Sequence, residues 1–149
     1  MQNLREMIKR HEGVRTHAYR CSQGYLTIGA GRNIDENGGL GLSDEEIDFL
    51  LDNDIVRCIQ ELHNVFPWFK TLNEPRQHAV IDLCFNIGLP KLMLFQKANK
   101  AMNSGEWETA AKEYYDSRWA KQVGARAVEV CEMIRTGEYQ NGESNYSRS

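Results

Sequence analysis

The sequence lacks any apolar run near the ~18 residues of a membrane-spanning helix, and it has no C-x-x-C, paired cysteine–histidine cluster, G-x-S-x-G or phosphate-binding glycine loop. Each absence closes a class. Stable membrane insertion is not expected, nor is a metal site, a serine-hydrolase elbow or a nucleotide cradle. The histidines (His11, His17, His63 and His78) compose no catalytic triad, and no cofactor is implied. Basic residues are also in short supply. The chain has 18 Lys and Arg against 21 Asp and Glu, a net charge of −3. That balance excludes the broad basic field a duplex nucleic-acid binder needs. The opening segment MQNLREMIKRHEG has no uninterrupted apolar stretch, so no cleavable secretory leader is expected there. A product made in the cytoplasm and remaining soluble is the expectation, and action beyond it would need a separate means of release.

Four cysteines are present, at 21, 58, 84 and 131. Cys58, Cys84 and Cys131 fall within helical apolar patterns, where a thiol serves as a small buried hydrophobe. Disulfides are not expected in a cytosolic product.

The 149 residues fit a single domain with a sizeable core. Leu4, Met7, Ile8 and His11 recur at helical spacing and Gly13 follows, which predicts a short amphipathic helix over 1–12 that packs one stripe on the main lobe. Two β-like runs, Thr16–Tyr19 and Tyr25–Ile28, flank Cys21-Ser22-Gln23-Gly24, and Arg32-Asn33-Ile34 supplies a third strand. Asp35 to Gly39 reads as a plain turn. This small sheet, within a subdomain of residues 13–42, is too slight to stand alone. Ser43 and Glu46 form a capping box that opens a long linking helix to about residue 63. Phe66, Trp68 and Phe69 end that helix and plug the core. Asn73-Glu74-Pro75 starts a helix running to about Gly88. Further helices are expected over Lys91–Asn103, Glu106–Asp116, Ser117–Gln122 and Ala125–Thr136, completing a helical lobe over 64–137. Residues 138–149 form a polar tail expected to fray. The fold class is α+β, mainly α.

Glu12, Cys21 and Thr27 stand at the spacing E-x8-[D/C]-x5-T, followed by G24-Y25-x-T27-I28-G29-x-G31. Downstream come F85-N86-I87-G88, S117-R118-W119, R126-A127 and R135-T136-G137. This ordered set, spanning residues 4 to 137, resembles the phage lysozymes of glycoside hydrolase family 24, the T4-lysozyme-like endolysins. The resemblance implies a lysozyme-like fold, with a small three-stranded N-terminal β lobe, a helical C-terminal lobe and the active-site cleft between them. It also implies a muramidase that cuts the β-1,4 bond between N-acetylmuramic acid and N-acetylglucosamine in peptidoglycan glycan strands, causing host lysis. A holin releasing the protein from the host cytoplasm to the periplasm is implied too, and a monomer is expected.

Glycoside cleavage needs a proton for the leaving oxygen and a group that manages the oxocarbenium-like centre or its water. Glu12 is the candidate acid. Partial desolvation beside the hairpin would keep a proton on it near neutral pH. Most members of the resembling family carry Asp where this chain has Cys21. An ordinary thiol, with a pKa of about 8.5, is mostly neutral at pH 7, so Cys21 acts through its thiolate fraction, raised if Arg20 lies close, or else is an inert loop thiol. Thr27 would position the water, an arrangement that favours inversion. In the family, Gly31, Phe85, Asn86, Arg118, Gln122 and Arg126 fall where the glycan is held. The bland readings are core packing for Phe85 and surface ion pairing for Arg118 and Arg126. Arg32 replaces the family's usual histidine beyond the hairpin. Two other readings accompany this one. A lytic transglycosylase would give 1,6-anhydro products from the same bond, and a wall-binding module would bind without cutting.

Overall fold

The computed structural model describes residues 1–140. Contacts divide the chain into two compact units, Met1–Leu50 and Leu51–Ser149.

The N-terminal unit begins with helix α1 (Gln2–Glu12), which stops where Gly13 takes a φ of 77°. Within this unit none of its residues is buried, and Leu4, Met7 and Ile8 are exposed. Strands β1 (Arg15–Arg20), β2 (Leu26–Gly29) and β3 (Arg32–Asn33) form an antiparallel sheet in the order β1-β2-β3. Arg15 pairs with Gly29 and Tyr19 with Thr27, so β1 spends four residues against two and bulges between them. The Cys21–Gly24 turn is closed by Gly24 N–H donating to the Cys21 carbonyl at 2.8 Å.

Helix α2 (Asp44–Val65) opens on the expected capping box. The Glu46 amide donates to Ser43 Oγ at 3.2 Å, and the Ser43 amide donates to Glu46 Oε1 at 2.8 Å. Arg32 also donates to Glu46 through Nη1 at 2.9 Å, and through Nη2 to the second carboxylate oxygen. Arg32 thus ties β3 to the start of α2. Paired with Arg32 and capped by Ser43, the Glu46 carboxyl is held at about 2.

The C-terminal unit carries all of the buried apolar core, from Cys58 to Ile134. Phe66 stacks on Trp68 at 4.7 Å, and both rings and Phe69 are buried as expected. A single 3-10 turn, Phe69–Thr71, follows. Helix α3 (Glu74–Ile87) has Asn73 as its cap, accepting from the Arg76 amide at 3.2 Å. The same asparagine donates from Nδ2 to the Gly137 carbonyl, and Arg76 Nε donates to the Ile134 carbonyl.

The single helix expected over Lys91–Asn103 is instead two, α4 (Leu89–Met93) and α5 (Gln96–Ser104). Phe95 breaks the run with a ψ of 64°, and its ring packs 5.4 Å from that of Tyr114. Helices α6 (Trp107–Tyr115), α7 (Arg118–Val123) and α8 (Ala125–Thr136) complete the unit, with α8 against α3, α6 and α7. Ser117 caps α7, accepting from the Ala120 amide while donating to the Tyr114 carbonyl. Glu138–Gln140 are held rather than frayed: Tyr139 donates its hydroxyl proton to Glu74 at 3.0 Å and contacts His78 Nδ1 at 2.9 Å. The rest of the expected tail, 141–149, lies outside the described residues. Among the described residues no helix is long and apolar enough to cross a membrane.

Candidate functional site

The expected residues fall in both units, and each set is built locally. In the N-terminal unit, Glu12 is the last residue of α1 and Gly31 belongs to the turn between β2 and β3. Their contact is close. A Cβ on Gly31 would lie 2.6 Å from Glu12 Oε2, and the Gly31 φ of 79° already disfavours any other residue. Gly31 therefore admits the carboxylate to the turn. Glu12 is nevertheless exposed, so the desolvation expected for it is not supplied by the sheet's own residues.

Cys21 and Thr27 meet at the other turn. The Tyr25 carbonyl accepts from the Cys21 amide at 2.9 Å and from Thr27 Oγ1 at 2.9 Å. Thr27 is only 4% exposed, the one buried residue of this unit. Amides of Gln23 and then Tyr25 hold the Cys21 pKa below the usual thiol value. Arg20, the expected source of that effect, points elsewhere. Its Nη1 donates to the Gly24 carbonyl at 3.0 Å and faces Asp35 at 3.8 Å. Neutral dipoles fixed by a tight turn do what a mobile cation was expected to do.

Asp35, read from sequence as a plain turn residue, is a support for this site. Its Oδ2 accepts from the Leu26 amide at 2.9 Å and its Oδ1 from the Asn37 amide. These bonds, the Leu26 amide above all, hold the carboxyl below its ordinary value and pin the start of β2, one residue before Thr27. The only sequence signal was an Asp opening a turn, which is common to surface loops.

In the C-terminal unit the expected binding residues line two separate hollows. Phe85, 44% exposed, shares a cavity of about 410 Å³ with Ile55, Ile59, Ile81, Asp82 and Arg126. Arg126 Nε donates to Asp82 Oδ1 at 2.8 Å, and its Nη2 approaches the Asp82 carbonyl at 3.5 Å. Arg118 and Gln122 line a second cavity, of about 490 Å³, beside Phe95, Ser117 and Trp119. Asn86 reaches that wall through its Oδ1, which accepts from Trp119 Nε1 at 2.7 Å. Asp82 and Trp119 were missed as site residues, for nothing in sequence spacing ties position 82 to 126 or 86 to 119.

Comparison with known proteins gives the family. The Phage lysozyme family model matches residues 9–135. The pre-baseplate central spike protein of Enterobacteria phage T4 is 30% identical over 93% of the chain, which spans only 28% of that longer protein. A probable T4-type lysozyme of Dictyostelium discoideum is 24% identical over 92% of the chain and 96% of its own length. An endolysin of Acyrthosiphon pisum secondary endosymbiont phage 1 is 31% identical over 80% of each. With most of its length inside one family model, and its α+β architecture in accord, the chain belongs to the phage lysozyme family.

Proposed function

We propose that the protein is a peptidoglycan muramidase, hydrolysing the β-1,4 bond between N-acetylmuramic acid and N-acetylglucosamine by an inverting route. Glu12 gives its carboxyl proton to the leaving glycosidic oxygen. A water attacks the anomeric carbon from the opposite face, oriented by the Thr27 hydroxyl, and its proton passes to the Cys21 thiolate. The observation that carries this reading is the tight turn in which the Cys21 amide and the Thr27 hydroxyl donate to one carbonyl, that of Tyr25. Backbone amides of the same turn lower the Cys21 pKa, which favours the thiolate form. The close seat of Glu12 against Gly31 supplies a fixed acid.

Gly31, Phe85, Asn86, Arg118, Gln122 and Arg126 are the proposed glycan contacts. A planar amide and an aromatic face suit acetamido sugars, and arginines suit the carboxylates of the peptide stem. Asp82 occupies Nε and approaches Nη2 of Arg126, so Nη1 is the proposed donor to ligand. Synthesis in the host cytoplasm, passage opened by a holin and action in the periplasm as a monomer belong to the same proposal.

Turbidity loss of permeabilised Gram-negative cells tests it. Glu12→Gln is expected to lower the clearing rate by about 10²–10⁴-fold with folding unchanged. Clearing as fast as the wild type would remove Glu12 from the mechanism and leave a wall-binding module. A steep loss in Cys21→Ser with a normal fold supports the thiolate base, and little change would refute it.

A further inference from the structure

Outside the proposed site, one cluster of chemically capable side chains stands in the C-terminal unit. Cys58 and Glu61 lie one helical turn apart on α2, and Cys84 projects from α3. The two sulfurs and a Glu61 carboxylate oxygen all lie within 4.8 Å of one another. Both cysteines are buried, Cys84 to 2% exposure, while Glu61 is half-buried.

Together they form a compact set of three donor atoms, two of them on buried side chains. Arg57, beside them on α2, donates to Asp54 at 2.7 Å and its charge also reaches Cys58 and Glu61. Among the described residues no hydrogen bond to the Glu61 carboxylate occupies its oxygens. A metal ion would take all three donors, because it deprotonates its thiol ligands outright and draws in the carboxylate.

We propose that Cys58, Glu61 and Cys84 are three ligands of a site for a thiophilic divalent cation of the Zn²⁺ class, which clips α2 to α3. Two thiolates exclude the hard cations Mg²⁺ and Ca²⁺, and a carboxylate ligand favours Zn²⁺ over Cu(I). Zinc–sulfur bonds of about 2.3 Å in a tetrahedron separate two sulfurs by about 3.8 Å. The observed spacing therefore closes with side-chain adjustments on the order of 1 Å. A fourth ligand, such as a water, would complete the shell. Two protons leave the thiols as the metal enters. Sequence gave no sign of the site, since 25 residues separate the cysteines and only the meeting of α2 with α3 joins them.

Cobalt is the probe. The full chain, reduced with a non-thiol reductant, is titrated with Co²⁺ while the thiolate-to-cobalt charge-transfer absorption is followed. One equivalent saturates the band, Zn²⁺ abolishes it, and Cys21→Ser leaves it intact. Cys58→Ala and Cys84→Ala each lose it. Glu61→Gln, on the partly exposed side and harmless to the core, weakens binding by roughly tenfold or more. No band in the wild type under excess Co²⁺ overturns the proposal. So does a band that survives the cysteine substitutions, or an affinity unchanged in Glu61→Gln. If a cysteine variant does not fold, the wild-type titration and Glu61→Gln decide alone.

Discussion

The two units are held together by different physics. In the C-terminal unit, stability rests on a continuous apolar core in which Leu62, Leu83, Leu92 and Ile134 are fully buried. The N-terminal unit buries no apolar side chain, and its one buried residue is the polar Thr27. What orders it is a set of polar fasteners: Arg32 on Glu46, Ser43 capping α2, Asp35 on the Leu26 amide, and the Tyr25 carbonyl joining Cys21 to Thr27. The proposed acid and base sit in this thin, hydrogen-bonded unit. The lesson is that in the N-terminal unit order comes from hydrogen bonds in tight turns, which also lower the pKa of Cys21, while the apolar mass of the C-terminal unit serves stability.

Breaking that comparison should give effects of decreasing size. Leu83→Ala removes a fully buried side chain and is expected to cost about 2–5 kcal/mol. Leu26→Ala in β2, only half-buried, is expected to cost on the order of 1 kcal/mol. Denaturant melts of the two variants check the contrast, and equal losses would erase the distinction between the units.

Gly31→Ala comes next. Its Cβ would meet the Glu12 carboxylate at a φ of 79°, so clearing activity should fall steeply while helical content by circular dichroism stays near that of the wild type. Full activity would mean that the seat of Glu12 does not matter.

A smaller, pH-dependent effect tests the fasteners. Glu46 has a folded-state value of about 2, below its ordinary one because of Arg32 and Ser43. Its contribution is present above the unfolded value of about 4.3 and fades as pH falls through that range toward 2. Thermal melts from pH 5 down to 2 should therefore decline less in Glu46→Gln than in the wild type. Parallel curves would contradict the assignment.

The subtlest expectation concerns Cys21, whose pKa is lowered by turn amides. Activity should rise with pH as the thiolate forms, at a lower pH than for an ordinary thiol. Cys21→Asp, with a reference value of about 3.9, should carry that rise further toward acid. An unmoved acidic limb in pH–rate profiles would take Cys21 out of the rate.

Sequence made the helix starts legible because their signals are local. Ser43 with Glu46, and Asn73 with Pro75, act within one turn, and Gly13 and Gly137 end helices where only backbone conformation is needed. The break at Leu94 and Phe95 was not legible, since the Phe95 ring follows Tyr114 in a distant helix. The same reason hid the bulge in β1, the Asp82–Arg126 pair and the Asn86–Trp119 bond. Among the site residues, Glu12 and Gly31 could be named from their motif. Their contact, and the turn amides that replace Arg20 as the influence on Cys21, are properties of the folded chain.

Mass spectrometry of muropeptides released from purified peptidoglycan tests the central claim most directly. The account predicts fragments ending in reducing N-acetylmuramic acid from the wild type and no such fragments from Glu12→Gln. Fragments with 1,6-anhydro ends, or the same products from Glu12→Gln, would contradict it.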